Sequence, residues 1–103
     1  MNKYRTHNCN ELRKKDLDKD ISISGWINKK RDHGNLLFID LRDNYGITQC
    51  IIDKENKNFL ELEKTQLETV IKIQGKVINR SNETINKDIE TGEIEVVINK
   101  FEI

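Results

Sequence analysis

The feature that most constrains the fold is a run of alternating side chains near the middle of the sequence, Leu36 to Arg42. Successive side chains of a β-strand point to opposite faces of the sheet, so a period of two residues predicts a strand here. One face would carry Leu37, Ile39 and Leu41, and the other Leu36, Phe38, Asp40 and Arg42. Turn-like residues stand before the run, at 29–35, and after it, at 43–46. Gly25 to Asp53 is therefore predicted to be a three-stranded meander.

The mixed face of the middle strand is the first functional candidate. Phe38 would lie there beside Asp40 and Arg42, with the basic cluster Lys29 to Arg31 in the preceding turn. An exposed aromatic ring next to basic side chains is a common arrangement for stacking and holding single-stranded nucleic acid. The alternative is that another part of the chain covers Phe38 and that the basic cluster is a solvated turn, since aromatic residues in strands are usually core residues. The pattern alone leaves both interpretations open.

Further alternating runs bring the predicted strands to five. They are Ile21–Lys29, Leu36–Arg42, Gly46–Asp53, Thr69–Arg80 and Glu93–Ile103, with a short N-terminal helical turn at Glu11–Lys14 and a helix at Lys54–Leu67. Both faces of the third strand are largely apolar, so the period does not decide which way Gln49 points. An all-β, five-stranded barrel with a helix between strands three and four has the layout of the OB-fold. The main rival is an SH3-like barrel, which this helix fits poorly.

Two predicted loops would flank a nucleic-acid site in such a barrel. In OB-folds, oligonucleotides lie across strands two and three, between the loop joining strands one and two and the loop joining strands four and five. Those loops here are Lys29–Asn35 and Arg80–Gly92. The chain of 103 residues has 18 Lys and Arg against 18 Asp and Glu, so it has no overall basic charge. Nucleic-acid binding would therefore depend on local patches.

Composition argues against several other classes of protein. Cys9 and Cys50 are too far from each other, and too isolated from His7 and His33, to form a zinc-ligand pattern; two free thiols in a reducing cytosol are the simpler interpretation. No apolar segment approaches the roughly 20 residues that span a membrane, and none resembles a signal peptide, so we expect a cytoplasmic location. No catalytic motif, such as a Ser/His/Asp set, a P-loop or a clustered carboxylate pair, is present.

Two blocks of the sequence resemble one family. The run from Gly25 to Gln49 is similar to the pattern G-W-V-x-x-x-R-D-x-G-x-x-x-F-I-D-x-R-D-x-x-G-x-x-Q of the N-terminal anticodon-binding domain of bacterial-type aspartyl-tRNA synthetases. The second block, Thr91 to Val96, matches the family's T-G-E-I-E-V, and a shorter match, Tyr4 to His7, precedes both. The resemblance implies one OB-fold anticodon-binding domain over residues 1–103, with tRNA as its partner.

The resemblance also implies roles for individual residues. Phe38 would stack on an anticodon base, and Gln49 would hydrogen-bond a base edge. Glu95 would accept a hydrogen bond from a base, and Arg31 would contact a base or a phosphate. Further RNA contacts are expected from Lys29, Lys30, His33, Arg80 and Asn86.

Structural alternatives stand beside these roles. Arg31 could pair with Asp32 or Asp40, and Glu95 could be an ordinary exposed strand residue. The basic cluster has lysines where many family members have arginine, which would weaken a bidentate phosphate grip to a point-charge contact. In this family, a histidine at the position of His33 is associated with enzymes that charge both the aspartate and the asparagine tRNA, whose anticodons differ only in the third base. A solvated loop histidine is the alternative.

The resemblance implies a larger parent protein. A complete aspartyl-tRNA synthetase attaches aspartate to its tRNA with a class II catalytic domain that binds ATP and Mg²⁺. The motifs of that domain are absent from this sequence. We therefore expect an inactive, monomeric fragment of a homodimeric ligase, without a cofactor of its own, that reads the G-U-C anticodon.

Three alternatives to this function remain. The chain could be a free-standing OB module that binds single-stranded nucleic acid without anticodon specificity, or an OB domain that binds only protein. It could also be the anticodon domain of a lysyl or asparaginyl synthetase, although the R-D-x-G and T-G-E-I-E-V blocks favour aspartyl.

Overall fold

The computed structural model describes residues 6–103, and its strands close into a five-stranded barrel. The elements are β1 (Asp20–Asp32), β2 (Leu36–Arg42), β3 (Ile47–Asp53), α1 (Phe59–Lys64), β4 (Val70–Asn79) and β5 (Ile94–Glu102), preceded by a 3-10 turn at Lys14–Asp16. The strand order is β1-β2-β3-β5-β4, and all neighbours are antiparallel except β3 and β5. The predicted fold class is confirmed. Tyr4 and Arg5, part of the shorter family match, lie outside the described residues.

β1 is longer than predicted, and this corrects the position of the basic cluster. The strand continues past Lys29 to Asp32, because its pairing with β2 runs as far as Asp32 opposite Leu37. The register shifts between Ile27 and Lys29, where the strand has a bulge. The basic cluster therefore lies in a strand rather than in a turn, and its successive side chains point to opposite faces.

α1 is shorter than the predicted helix Lys54–Leu67. The side chains of Asp53 and Asn56 each accept a hydrogen bond from the backbone amide two residues later, at 2.8 and 2.9 Å. Such local turns offer the backbone an alternative to helical bonds, so the helix begins only at Phe59. Within it, Phe59 and Leu62 are buried and anchor it to the barrel.

The N-terminal turn also lies later than predicted, at Lys14–Asp16 instead of Glu11–Lys14. The carboxylate of Asp16 accepts a hydrogen bond from the backbone amide of Arg13 at 3.0 Å, which begins the turn at that point. Leu12, which precedes the turn, is fully buried.

The core consists mainly of the inward-facing aliphatic residues of all five strands. Gly25 and Gly75 lie where two strands approach closely: a Cβ at Gly25 would stand 2.2 Å from the carbonyl oxygen of Arg42, and one at Gly75 would stand 2.1 Å from that of Val97. A side chain at either position would push the strands apart, so the closed barrel requires glycine there.

Two further observations concern the described part of the chain. No helix within residues 6–103 has the length and apolar character needed to cross a membrane. Cys9 and Cys50 are both free and buried.

Candidate nucleic-acid interface

The register of the strands places the candidate residues in two adjacent rows on the outer face of the barrel. One row consists of Arg31, Phe38, Ile51 and Val97, and the next of Lys29, Asp40, Gln49 and Glu95. On β3, the residues that alternate with these, Thr48, Cys50 and Ile52, are fully buried. The sequence left the direction of Gln49 open, and the structure turns it outward.

Phe38 lies on this outer face, outside the buried core of the barrel. Its ring is half-buried, with the ring of His33 beside it at 4.9 Å between centroids and a tilt of 59°. The guanidinium carbon of Arg31 lies 6.0 Å from the Phe38 centroid. The ring thus has a histidine and an arginine at its sides, and part of its surface remains open to a ligand.

A continuous chain of hydrogen bonds runs across the same face through four side chains. Arg31 donates to both carboxylate oxygens of Asp40, at 2.9 and 3.0 Å, and to Oε1 of Gln49 at 2.9 Å. Nε2 of Gln49 donates to Glu95 at 2.8 Å. We call these four residues, Asp40, Arg31, Gln49 and Glu95, the polar chain. It shows that the pairing of Arg31 with Asp40, raised as an alternative, occurs in the free protein.

The chemistry of its ends fixes the orientation of the polar chain. A guanidinium only donates hydrogen bonds and a carboxylate only accepts them, so the Gln49 oxygen must face Arg31 and its nitrogen must face Glu95. Gln49 is 5% exposed and Glu95 is 8% exposed, so neither is an ordinary surface residue. Both lie at the surface of the barrel as an ordered pair.

The positive charges of Arg31 and Arg80 stand against the negative charges of Asp40 and Glu95 on this face. The hydrogen bond from Arg31 to Asp40 raises the pKa of Arg31. Burial lowers the pKa of Arg80, while the charges of Glu95 and Asp40 act to raise it. Beneath the face, burial raises the pKa of the Cys50 thiol, which is therefore uncharged. A ligand here would meet directed hydrogen-bonding groups rather than a strong positive field.

The two lysines of the basic cluster separate. Lys29 is exposed and lies opposite Asp40 on the outer face. Lys30 points the other way and donates to the backbone carbonyls of Glu63, at 2.7 Å, and Thr65. These carbonyls end α1, where a positive charge is favourable. Lys30 therefore holds the helix to the barrel and lies apart from the polar chain.

Arg80 and Asn86 shape the long loop between β4 and β5. Arg80 is 7% exposed and donates to the carbonyls of Ile94 and Thr84, each at 2.9 Å. Asn86 is exposed, and its side-chain oxygen accepts a hydrogen bond from the amide of Asp88 at 2.9 Å. The structure thus gives Arg80 the position of a brace within the loop, whereas Asn86 lies at its surface.

Asp40 is the member of the polar chain that was not predicted as a contact residue. The alternation of β2 places it two residues from Phe38 on the same face, and this spacing was the available signal. What the sequence could not show is that Arg31, from another strand, joins it to Gln49.

Among residues 6–103, no cluster of three or more His, Cys, Asp or Glu side chains could hold a metal ion.

Comparisons with known proteins agree with this geometry. The family model of the OB-fold nucleic acid binding domain matches residues 21–103. The aspartate–tRNA(Asp/Asn) ligase of Pelagibacter ubique (strain HTCC1062) is 72% identical over the whole chain, and that of Wolbachia sp. subsp. Drosophila simulans (strain wRi) is 50% identical. The chain spans 17% of the length of each of these relatives.

Solved structures show the same fold. Asparaginyl-tRNA synthetase from Pyrococcus horikoshii, in complex with asparaginyl-adenylate, superposes with a TM-score of 0.78 at 23% identity, over 94% of this chain and 21% of that one. This superposition confirms the fold, and the family model with the sequence relatives confirms the resemblance to the N-terminal domain of aspartyl-tRNA synthetases. The chain belongs to the family of OB-fold nucleic acid binding domains.

Proposed function

We propose that this domain reads the anticodon of a tRNA as part of an aspartate–tRNA ligase. The observation that carries the proposal is the partly open Phe38 ring beside the polar chain, on the sheet face that OB-folds use for single strands. A ring supplies a stacking surface, and the adjacent groups supply donors and acceptors. An unpaired base needs both to be held and identified.

Stacking on Phe38 would contribute affinity without selecting the base. Base–aromatic stacking contributes about 1–3 kcal/mol per base and tolerates any base, because every base has a flat face. We assign the central uridine of the anticodon to this ring. Arg31 and His33 flank the ring and would limit how far the stacked base can slide.

The polar chain would supply the selectivity. The Glu95 carboxylate can only accept hydrogen bonds, so a base facing it must present an N–H group. The Gln49 amide has a second N–H besides the one that it donates to Glu95, and this N–H suits a carbonyl oxygen on a base edge. A wrong base would leave one of these buried groups unpaired, which costs about 1–3 kcal/mol.

Residues around the polar chain would hold the backbone of the RNA. Lys29 is the exposed lysine of the outer face, and Asn86 lies on the long loop. Both could approach phosphate or sugar oxygens. Arg80 and Lys30 would act at one remove, by bracing the long loop and α1.

The larger protein would use this recognition to select its substrate. Relatives that include a matching segment are named aspartate–tRNA(Asp/Asn) ligases. By analogy, the whole protein would be a cytoplasmic, homodimeric ligase that attaches aspartate with ATP and Mg²⁺ in a separate catalytic domain. His33 beside Phe38 fits an enzyme that accepts both the G-U-C and the G-U-U anticodon.

The test is the binding of this chain to three otherwise identical RNA stem-loops, with G-U-C, G-U-U and G-A-C anticodons. We expect similar affinity for the first two and a loss of at least about tenfold for G-A-C, since adenine would meet the groups arranged for uracil. Equal binding to all three would refute anticodon reading and favour a non-specific OB module. Absence of binding to any loop would favour a protein-binding domain.

A further inference from the structure

We infer that Asp40 is a positioning residue that sets which bases this interface accepts without itself touching RNA. The inference rests on the proposed function and deepens it. Asp40 carries a negative charge, which disfavours contact with phosphate, and both of its carboxylate oxygens already accept hydrogen bonds from Arg31. Its influence on a bound base must therefore pass through the other members of the polar chain.

The first step is the orientation of Arg31. Two parallel hydrogen bonds to a carboxylate fix the plane of a guanidinium as well as its position. In that plane, Nη2 of Arg31 still has an N–H directed at Oε1 of Gln49, at 2.9 Å. The Arg31 side chain is 38% exposed, so without the carboxylate it could swing into solvent or toward a phosphate.

The second step is the orientation of Gln49. The oxygen and nitrogen of a side-chain amide have nearly the same shape, so packing alone does not decide between its two rotations. Here Arg31 holds the oxygen and Glu95 holds the nitrogen. The opposite rotation would set the amide nitrogen against a guanidinium and the amide oxygen against a carboxylate. Asp40 therefore helps to maintain a single rotation of the amide.

The third step concerns the base. With its rotation fixed, Gln49 offers the RNA a donor, its second Nε2 hydrogen, and not an acceptor. When the N3–H of uracil lies at Glu95, the adjacent carbonyl oxygen lies at this donor, whereas adenine in the same register would set its amine against the donor and its acceptor N1 against the carboxylate. If the amide could rotate freely, it could serve either base. Discrimination between uracil and adenine at this position should therefore depend on Asp40.

The experiment compares Asp40→Asn with a matched control, Asp53→Asn, in the binding of G-U-C and G-A-C stem-loops. Asp53 is an exposed acid at the end of the next strand, and its hydrogen bond to the Glu55 amide can be made equally by asparagine. Both variants remove one negative charge, so any general gain in RNA affinity is shared. We expect Asp40→Asn to lower the preference for G-U-C by about tenfold, and Asp53→Asn to leave it unchanged.

A second variant and a spectroscopic signature keep the test decisive if Asp40→Asn folds poorly. Arg31→Lys keeps the charge but cannot bond Asp40 twice and Gln49 as well, so the same loss of preference is expected. In NMR spectra without RNA, the Gln49 side-chain amide protons should exchange slowly with water, and this protection should be lost in both variants. Full preference retained in the folded variants would overturn the role of Asp40 alone. Equal binding of both loops by the unchanged chain would overturn the proposed function and this inference together.

Discussion

At the scale of the residue, the position of Phe38 sets the character of the interface. Its ring lies outside the core, and only part of it is covered by His33 and Arg31. An aromatic side chain left partly open beside hydrogen-bonding groups offers a stacking surface to an unpaired base. The groups of the neighbouring polar chain, in contrast, already hydrogen-bond one another in the absence of a ligand.

Removing the ring should weaken RNA binding without unfolding the domain. We expect Phe38→Leu to lower the affinity for a G-U-C stem-loop by about 5- to 150-fold, the range that corresponds to one lost stacking contact. The melting temperature should change little, since leucine fills the half-buried site. Tyr45→Ala is the control: Tyr45 is an exposed aromatic in the turn before β3, and its loss should leave the affinity unchanged. Equal effects of the two substitutions would contradict a specific role for Phe38.

At the scale of the element, β1 shows how a strand divides two neighbouring lysines between different tasks. Lys29 lies on the face that carries Phe38 and the polar chain, and Lys30 reaches the carbonyl end of α1. The sequence placed both in a turn because Lys, Arg, Asp, His, Gly and Asn follow one another at 30–35. Pairing with β2 keeps this segment extended, and local propensity does not reveal such pairing.

The two lysines should therefore separate in experiment. We expect Lys30→Ala to reduce the free energy of unfolding by about 1 kcal/mol, because the end of α1 loses a charged hydrogen-bond partner, with little change in RNA affinity. Lys29→Ala should do the reverse, with a few-fold loss of affinity and no loss of stability. Urea denaturation and stem-loop titration of both variants give the comparison. A loss of RNA affinity in Lys30→Ala as large as in Lys29→Ala would contradict the assignment.

Asp16, in the N-terminal segment, should make the stability of the fold depend on pH. Asp16 is 2% exposed, and burial acts to raise its pKa. The hydrogen bonds from the Arg13 amide and from Lys19, with the nearby charge of His7, outweigh this effect and lower the pKa overall. A carboxyl whose pKa is lowered in the folded state stabilises the fold above its unfolded pKa, and this stability is lost as the pH falls through the folded value. We expect stability to decline below about pH 4, and Asp16→Asn to show a flatter decline. Identical pH profiles from thermal melts would contradict this.

At the scale of the whole molecule, the balance of positive and negative charges decides how RNA would approach the domain. The formal net charge is zero, and the proposed interface pairs its own charges. The lysine-rich side of the barrel lies along β4 and the end of β5, where Lys72 and Lys100 stand, while Lys76 lies opposite Val97. Simple charge attraction would therefore direct RNA to the wrong face.

The salt dependence of binding should be correspondingly shallow. Few phosphate contacts are available on the proposed face, with Lys29 the main one. Single-stranded contacts contribute a slope of roughly 0.7 per phosphate, so we expect a plot of log affinity against log salt to have a slope of magnitude about 2 or less. Stem-loop titrations between low and physiological salt measure this directly. A much steeper slope would indicate binding governed by the lysine-rich side.

The sequence allowed much of this architecture to be predicted, for identifiable reasons. Alternation at Leu36–Arg42 was enough to predict the strand and to set Phe38 on the face opposite Leu37, Ile39 and Leu41, but it left open whether another segment covers the ring. Alternation did not predict the direction of the Gln49 side chain, because both faces of β3 are largely apolar. Arg80 donates to the carbonyl of Ile94, and Lys30 donates to a carbonyl at the end of α1. Both contacts join residues that are distant in the sequence. No local pattern records such contacts.

The most direct test of the central claim is a residue-by-residue NMR map of the chain as a G-U-C stem-loop is added. We expect the largest shift changes at Phe38, Gln49 and Glu95, with smaller changes along the long loop near Asn86. The lysine-rich side around Lys72 and Lys100 should remain unchanged. Shift changes concentrated on that face, with Phe38 and Gln49 unaffected, would contradict the proposal that this ring and its polar chain read the anticodon.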